Sequence, residues 1–396
     1  MKRIPENGTS SVWGGEQEPA PYGAITTPVF HSVGFGFNDV ESWLDVVDGT
    51  ESGYTYSRNG NPTVNVLEEK ICQLDEGEAA TSFSTGMAAI SNTLFALLKP
   101  GDRIVTIKDI YGGTNKLFLD YLPNLNIDIN WCDTTDYAAI ESAIKAGCQL
   151  VYLETPTNPT LKVIDLARIT QCAHQYGALV IVDNTFASPI NQKPLQLGVD
   201  LVVYSATKYL NGHSDAMGGL AVGRRSLINT ILSYKEITGA ALDAQSAYMI
   251  LRGMKTLELR IQRHNENAGK IADYLSNHFL IEQVFYPGLK THPDYEIAKK
   301  QMSGFGGILS FTVKGEPDRA IQVLNHLKIA HRAGSLGSVE TLAGLPKTTS
   351  HAELNAEERE RTGIPESLIR YSAGIENIDD LIHDLETALS NIDELT

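Results

Sequence analysis

The sequence is short of several things at once. Its four cysteines, Cys72, Cys132, Cys148 and Cys172, stand far apart with no CxxC pair. That spacing argues against a zinc site, so no metal is expected, and against a disulfide framework; it leaves packing thiols in a reducing, cytoplasmic setting. Positive charge is scarce: 32 Lys and Arg stand against 48 Asp and Glu, for a formal net charge of -16. Neither a nucleic acid nor an anionic membrane surface finds the basic face it needs. No apolar run is long enough to span a bilayer, and MKRIPENGTSS lacks the apolar stretch of a secretory signal. No GxGxxG turn, internal repeat or low-complexity tract is found, which disfavours a nucleotide-binding Rossmann protein. Small metabolites are the partners left.

What is present is a chain of 396 residues, 42% hydrophobic and 20% charged, with room for a large core and two domains. Residues 1–60 are rich in Gly, Pro, Ser and Asn with no sustained helical period, which predicts an extended arm seeking another surface, such as a neighbouring subunit. From Asn61 the pattern changes. PTVNVLEEKICQL has apolar residues at helical spacing, and short apolar runs then alternate with amphipathic stretches. That alternation predicts an α/β fold, a mostly parallel sheet covered by helices, over residues 61–251. Residues 252–396 read as a smaller C-terminal α/β domain: one long helix, MKTLELRIQRHNENAGKIADYLSNH, the strand GGILSFTVKG and the helix IDDLIHDLETALSNI. Between these last two, GLPKTTSHAELNAEERERTGIPES is polar and is expected on the surface.

Four apolar runs end in polar residues: RIVTI, LVYLE, ALVIVD and DLVVYSATK. Open α/β sheets bind ligands beyond the carboxyl ends of their strands, so Thr155–Asn158, Asp183–Thr185 and Ser205–Lys208 are expected to share one crevice.

These ends supply the parts that an amino-acid-activating aldehyde cofactor requires. Lys208 closes an apolar run, where desolvation favours the neutral amine that forms imines. Alone it would be an ordinary surface lysine, but Ser205 and Thr207 beside it offer hydroxyls to a phosphate. Asp183 could cap a turn; buried against a pyridinium, it would keep that nitrogen protonated. Gly86 and Met87 open a helical stretch whose first N–H groups suit a phosphate. Tyr111 can stack on a planar ring or simply pack on its own loop. Arg370 lies in an apolar segment where an unpaired guanidinium is costly and a carboxylate is a matched partner. Tyr56 and Arg58, at the end of the arm, could complete a neighbouring subunit's phosphate cup.

Taken in order, YSRNGNPT, STGMAAI, YGGTN, ETPTNPT, VDNTFASP, SATKYLNGHSD, SLGSVETL and IRYSAGIEN resemble the Cys/Met-metabolism family of pyridoxal-phosphate enzymes, from about Tyr22 to Leu389. The family includes cystathionine γ-synthase, cystathionine γ-lyase and methionine γ-lyase. The resemblance implies an aspartate-aminotransferase-like (fold type I) structure, pyridoxal 5'-phosphate as cofactor, and a homotetramer built from two catalytic dimers. By that resemblance Lys208 is the imine lysine and proton carrier, Asp183 pairs with the pyridine nitrogen, and Tyr111 stacks on the ring and takes part in catalysis. Gly86, Met87, Ser205 and Thr207 bind the phosphate, joined by a partner subunit's Tyr56 and Arg58 positions. Asn158 lies near the phenolic oxygen, and Ser335 and Arg370 near the substrate carboxylate.

The implied reaction is γ-elimination or γ-replacement on a homoserine- or sulfur-derived amino acid. The motifs YGGTN and SATKYLNGHSD lie closest to the cystathionine branch. Two positions depart from it: acids commonly precede the YSR tyrosine and, in the lyases, the SLG serine, where this chain has Thr55 and Gly334. Methionine γ-lyases typically carry a cysteine where Gly113 stands. A methionine γ-lyase-like or β-lyase activity is the enzymatic alternative, and a cofactor-binding regulatory protein the non-enzymatic one.

Overall fold

A computed structural model describes residues 6–16, 20–352, 359 and 363–393. Seven strands form the first sheet: β1 (Ala79–Phe83), β2 (Arg103–Ile107), β3 (Asp128–Cys132), β4 (Leu150–Glu154), β5 (Leu179–Asp183), β6 (Leu201–Ser205) and β7 (Gly219–Gly223), in the order β1-β7-β6-β5-β4-β2-β3. The neighbours from β3 through β2, β4 and β5 to β6 are parallel, and β7 runs antiparallel to both β6 and β1. Every residue of β4 is buried, as expected of a strand covered on both faces.

The flanking helices follow from local chemistry. The helix Pro62–Asp75 begins where the Asn61 side chain accepts the Thr63 N–H, at 3.0 Å, with proline in its first turn. Leu67, Ile71 and Leu74, at helical spacing, are fully buried against the sheet. The second sheet holds β8 (Ile281–Phe285), β9 (Ile308–Val313), β10 (His331–Arg332), β11 (Leu342–Gly344) and β12 (Leu368–Ser372), in the order β10-β11-β12-β9-β8. The helix Leu257–Ser276 spans the two cores: Leu257 and Ile261 pack in the first, Ala268, Ile271, Ala272 and Leu275 in the second.

Two local expectations are corrected. The arm is not wholly extended, since Asn7–Trp13 and Val40–Val47 are helical. The first is held by its own chain, not by its polar sequence. Buried Lys70 donates to the Ser11 and Val12 carbonyls and to Glu16, which also accepts from Lys255. The second helix starts where the Asp39 carboxylate accepts the Ser42 N–H at 2.7 Å, and it buries none of its residues. The long helix expected over 254–278 is present as Leu257–Ser276, with a separate helix, Ala244–Met254, ending just before it.

The polar stretch from Gly344 is not a surface excursion throughout. Gly344, Leu345, Pro346, Ser350 and His351 are buried because the chain turns inward beside β12. Residues 353–358 and 360–362 of that stretch lie outside the described residues. Among the described residues, no helix is long and apolar enough to cross a membrane.

Candidate active site

The carboxyl ends of β1, β4, β5 and β6 open into a cavity of about 250 Å³, with the second sheet and its loops supplying the opposite wall. Gly86, Met87, Tyr111, Asn158, Asp183, Ser205, Thr207, Lys208, Gly334, Ser335 and Arg370 all line it. Residues read separately from the sequence are thus brought together by strand ends, as the crevice argument expects.

Lys208 follows β6 in a turn where the Lys208 N–H bonds the Ser205 carbonyl at 3.1 Å. Its amine donates to Ser335 Oγ at 2.9 Å. Burial, and secondarily the charge of Arg370, push the amine down to about 8. A lysine there is far more often neutral than one in water.

Asp183 ends β5. Its carboxylate accepts the Thr185 N–H at 3.0 Å, and burial raises its pKa against the Thr185 hydrogen bonds that lower it. The Thr185 hydroxyl also accepts the Ser205 N–H, at 2.9 Å, which ties the ends of β5 and β6 together.

The helix Gly86–Leu97 starts at the cavity. Thr85 Oγ1 accepts the Ala88 N–H at 3.0 Å, while the N–H groups of Gly86 and Met87 belong to the first turn and have no intrahelical acceptor. Glycine is required at 86: a Cβ there would sit 2.7 Å from Ser205 Cβ. The Thr207 hydroxyl donates to the Gly218 carbonyl and accepts its N–H, at 3.3 and 3.1 Å.

Arg370, in the middle of β12, is 6% exposed. Its guanidinium donates to Asn158 Oδ1 at 3.2 Å and to the Ser335 carbonyl at 3.0 Å. Burial lowers its pKa to about 10, which leaves it charged at neutral pH. Tyr111 is 41% exposed over the same cavity.

Thr55, Tyr56 and Arg58 are not among the cavity residues. The Thr55 carbonyl accepts the Phe35 N–H at 3.1 Å, and the Arg58 guanidinium lies over the exposed Tyr56 ring at 5.1 Å. Thr185, expected in the crevice with Asp183, lines the cavity, as do Glu154, Thr349 and Ser350, which the sequence reading missed. Glu154 carried the strand-end signal already used for its neighbours. Ser350 was hidden in a polar segment whose burial is a tertiary effect.

Fold and cavity together define a fold type I pyridoxal-phosphate enzyme, a class in which one face of an α/β sheet presents a lysine, an acid and a phosphate cup. The chain belongs to the Cys/Met metabolism PLP-dependent enzymes, whose family model matches residues 8–390. It is 47% identical to an L-methionine gamma-lyase of Fusobacterium nucleatum subsp. nucleatum, over 94% of this chain and 95% of that protein. With the cystathionine gamma-lyase of Bacillus subtilis it shares 40% identity over 97% and 99% of the two chains. The solved cystathionine gamma synthase from Xanthomonas oryzae pv. oryzae, in complex with cystathionine, superposes with a TM-score of 0.95 at 38% identity, covering 100% of both chains. The chain is therefore a pyridoxal-phosphate-dependent γ-lyase or γ-synthase.

The residues present fit that cofactor. Ser205 packs against Gly86 so closely that a Cβ would fill the space beside the helix N-terminus. Buried Asp183 is bonded to the Thr185 N–H and hydroxyl, the arrangement that a cationic ring nitrogen would complete.

Proposed function

We propose that this protein catalyses γ-elimination from an amino acid with an uncharged γ-substituent, methionine being the type substrate. The observation that carries this reading is the wall formed by Gly334, Ser335, Leu336, Thr349 and Ser350, which among the described residues brings no acid to the cavity. The acids that line it among the described residues, Glu154 and Asp183, both sit at strand ends on the other side. A distal ammonium such as that of cystathionine would lack a carboxylate from this wall, whereas a methylthio group needs none. The lyases named above among its relatives support the choice of elimination.

When bound, pyridoxal phosphate withdraws electrons from the substrate's Cα and so acidifies the protons of Cα and Cβ. In this reading Lys208 is a desolvated base that would carry those protons between carbons. Asp183 would keep the pyridine nitrogen protonated, and Asn158 would meet the phenolic oxygen. Gly86, Met87, Ser205 and Thr207 hold the phosphate. Arg370, with Ser335, orients the substrate carboxylate, and Tyr111 stacks on the ring and moves a proton at the leaving sulfur. The balanced outcome is thioether amino acid plus water giving thiol, 2-oxobutanoate and ammonia.

The same proposal divides the chain into an arm, 1–60, a cofactor-binding region, 61–251, and a small domain, 252–396. It places Tyr56, Arg58 and Thr55 of one subunit at the cavity of the next, within a cytoplasmic homotetramer. Exposure of Tyr56, and of Val40, Trp43, Leu44 and Val47 on an otherwise unpartnered helix, supports a partner for the arm.

The test is product analysis with methionine, cystathionine, homocysteine and O-acyl-homoserines, each with and without cysteine. The proposal expects 2-oxobutanoate and methanethiol from methionine with no added nucleophile. A new amino acid formed only with cysteine, and no 2-oxo acid, would establish γ-replacement, the reading that the fold's likeness to the synthase otherwise favours.

A further inference from the structure

Tyr111 is expected to face the cofactor ring, and its backbone is held at two points, the first being its carbonyl, which accepts the Asn115 N–H at 2.8 Å. It precedes a short helix, Gly112–Lys116, with extended backbone angles. Its ring lies so close to that helix that a Cβ on Gly113 would stand 2.7 Å from Tyr111 Cε1. The second point ties it to the sheet: the Tyr111 N–H donates to Glu154 Oε2 at 2.7 Å.

Glu154 is 3% exposed and is the last residue of β4. Its Cα partner across the parallel pair is Asp183, so the two side chains leave the sheet on the same face. Both line the cavity. Two adjacent buried carboxylates cannot both stay ionised cheaply. Asp109, a third buried acid, already has the Lys162 ammonium at 3.0 Å and the Thr134 hydroxyl. Arg370 is the cation among Glu154's surroundings, but its guanidinium is bonded to Asn158 and Ser335. Burial first, then the charge of Asp183, push Glu154 well above the usual carboxylate range, with the Tyr111 N–H and Arg370 pulling the other way.

We propose that Glu154 is a positioning residue for Tyr111: it holds that residue's backbone on the carboxyl edge of the sheet. The inference rests on the cofactor reading of the cavity. Glu154 acts on the ring through Tyr111 and makes no contact of its own with the reacting atoms. As a neutral acid it needs only one oxygen to accept the Tyr111 N–H, a task that an amide oxygen performs equally well.

The experiment compares wild type, Glu154→Gln, Glu154→Leu and Tyr111→Phe, each titrated as apoprotein with pyridoxal phosphate. Affinity is read by fluorescence, ring placement by visible circular dichroism of the bound cofactor, and folding by thermal melting. Glu154→Gln is expected to keep wild-type affinity within about twofold and an unchanged visible dichroism, since the amide replaces the neutral acid. Glu154→Leu, folded, is expected to bind the cofactor about tenfold more weakly, with altered dichroism, because the Tyr111 N–H loses its acceptor.

A Glu154→Gln protein that loses affinity or changes its dichroism as a charge-removing variant would overturns the proposal even if Glu154→Leu does not fold. So does a folded Glu154→Leu protein with wild-type affinity and dichroism. Failure of the wild type and Tyr111→Phe to take up the cofactor at all would instead overturn the cofactor reading beneath it.

Discussion

The amine of Lys208, delivered by the first sheet, donates to the hydroxyl of Ser335, delivered by a loop of the second, at 2.9 Å. The same Ser335 offers its carbonyl to Arg370 at 3.0 Å. One serine thus sets the distance between the group proposed to move protons and the group proposed to hold the substrate carboxylate. Chemistry and recognition come from different cores and meet at this residue, a geometry that a change in how the sheets pack would disturb at once.

Lys208 gives the apoprotein a pH signature. Its pKa lies at about 8 in the folded chain against 10.5 for an ordinary lysine. Between those values the unfolded chain binds the extra proton, so this site's contribution to stability rises with pH across the window. Below about 8 it is a full destabilisation. Apo Lys208→Met should therefore melt above wild type at neutral pH, with the gap closing as pH rises toward 10.5. Paired melting curves across that range check it, and a constant gap would contradict it.

Arg370 is held by Asn158 and Ser335 in a fixed fork. Arg370→Lys keeps the charge but not the fork and should cost about tenfold in kcat/KM, whereas Arg370→Ala should cost about 100- to 1,000-fold. The loss should fall mainly on KM for substrates bearing a carboxylate. Steady-state kinetics with a matched amino acid and its amide separates this role from general damage to the site.

Gly113 is a steric permission for Tyr111. A Cβ at 113 would lie 2.7 Å from the tyrosine ring and 3.1 Å from Met87 Sδ. Gly113→Ala and Gly113→Cys should therefore displace the ring, changing the visible dichroism of the bound cofactor and lowering kcat about tenfold or more, with a modest stability loss of about 1–3 kcal/mol. Unaltered spectra and rates would show that the ring has slack.

If Arg58 serves a neighbouring subunit, two inactive variants should rescue each other. Lys208→Ala and Arg58→Ala chains, unfolded together and refolded as a mixture, form hybrid dimers in which one site has both residues intact. Random pairing then gives about a quarter of wild-type activity. Activity no greater than the sum of the two parents would place Arg58 in its own subunit's site or outside it.

Much of this was legible in the sequence because strand ends announce themselves. RIVTI and LVYLE coincide with β2 and β4, and the polar residues that end each run point to the crevice. Helix starts capped by Asn61 and Thr85 were similarly local. What was not legible depends on tertiary contact. The helix Asn7–Trp13 is secured by Lys70 and by Glu16, which Lys255 also grips, partners far away in the chain. Ser350 and His351 read as surface because they are polar, yet they are buried where the chain folds against β12. Glu154 was visible as the end of a run, but its tie to the Tyr111 backbone could not be read without the fold.

Lys208 is the residue proposed to carry the cofactor. Borohydride reduction of the holoenzyme followed by peptide mapping should abolish the visible band and yield one modified peptide, bearing the reduced cofactor on Lys208. A modified lysine elsewhere, or a cofactor that washes away unreduced with its band intact in Lys208→Ala, would contradict it.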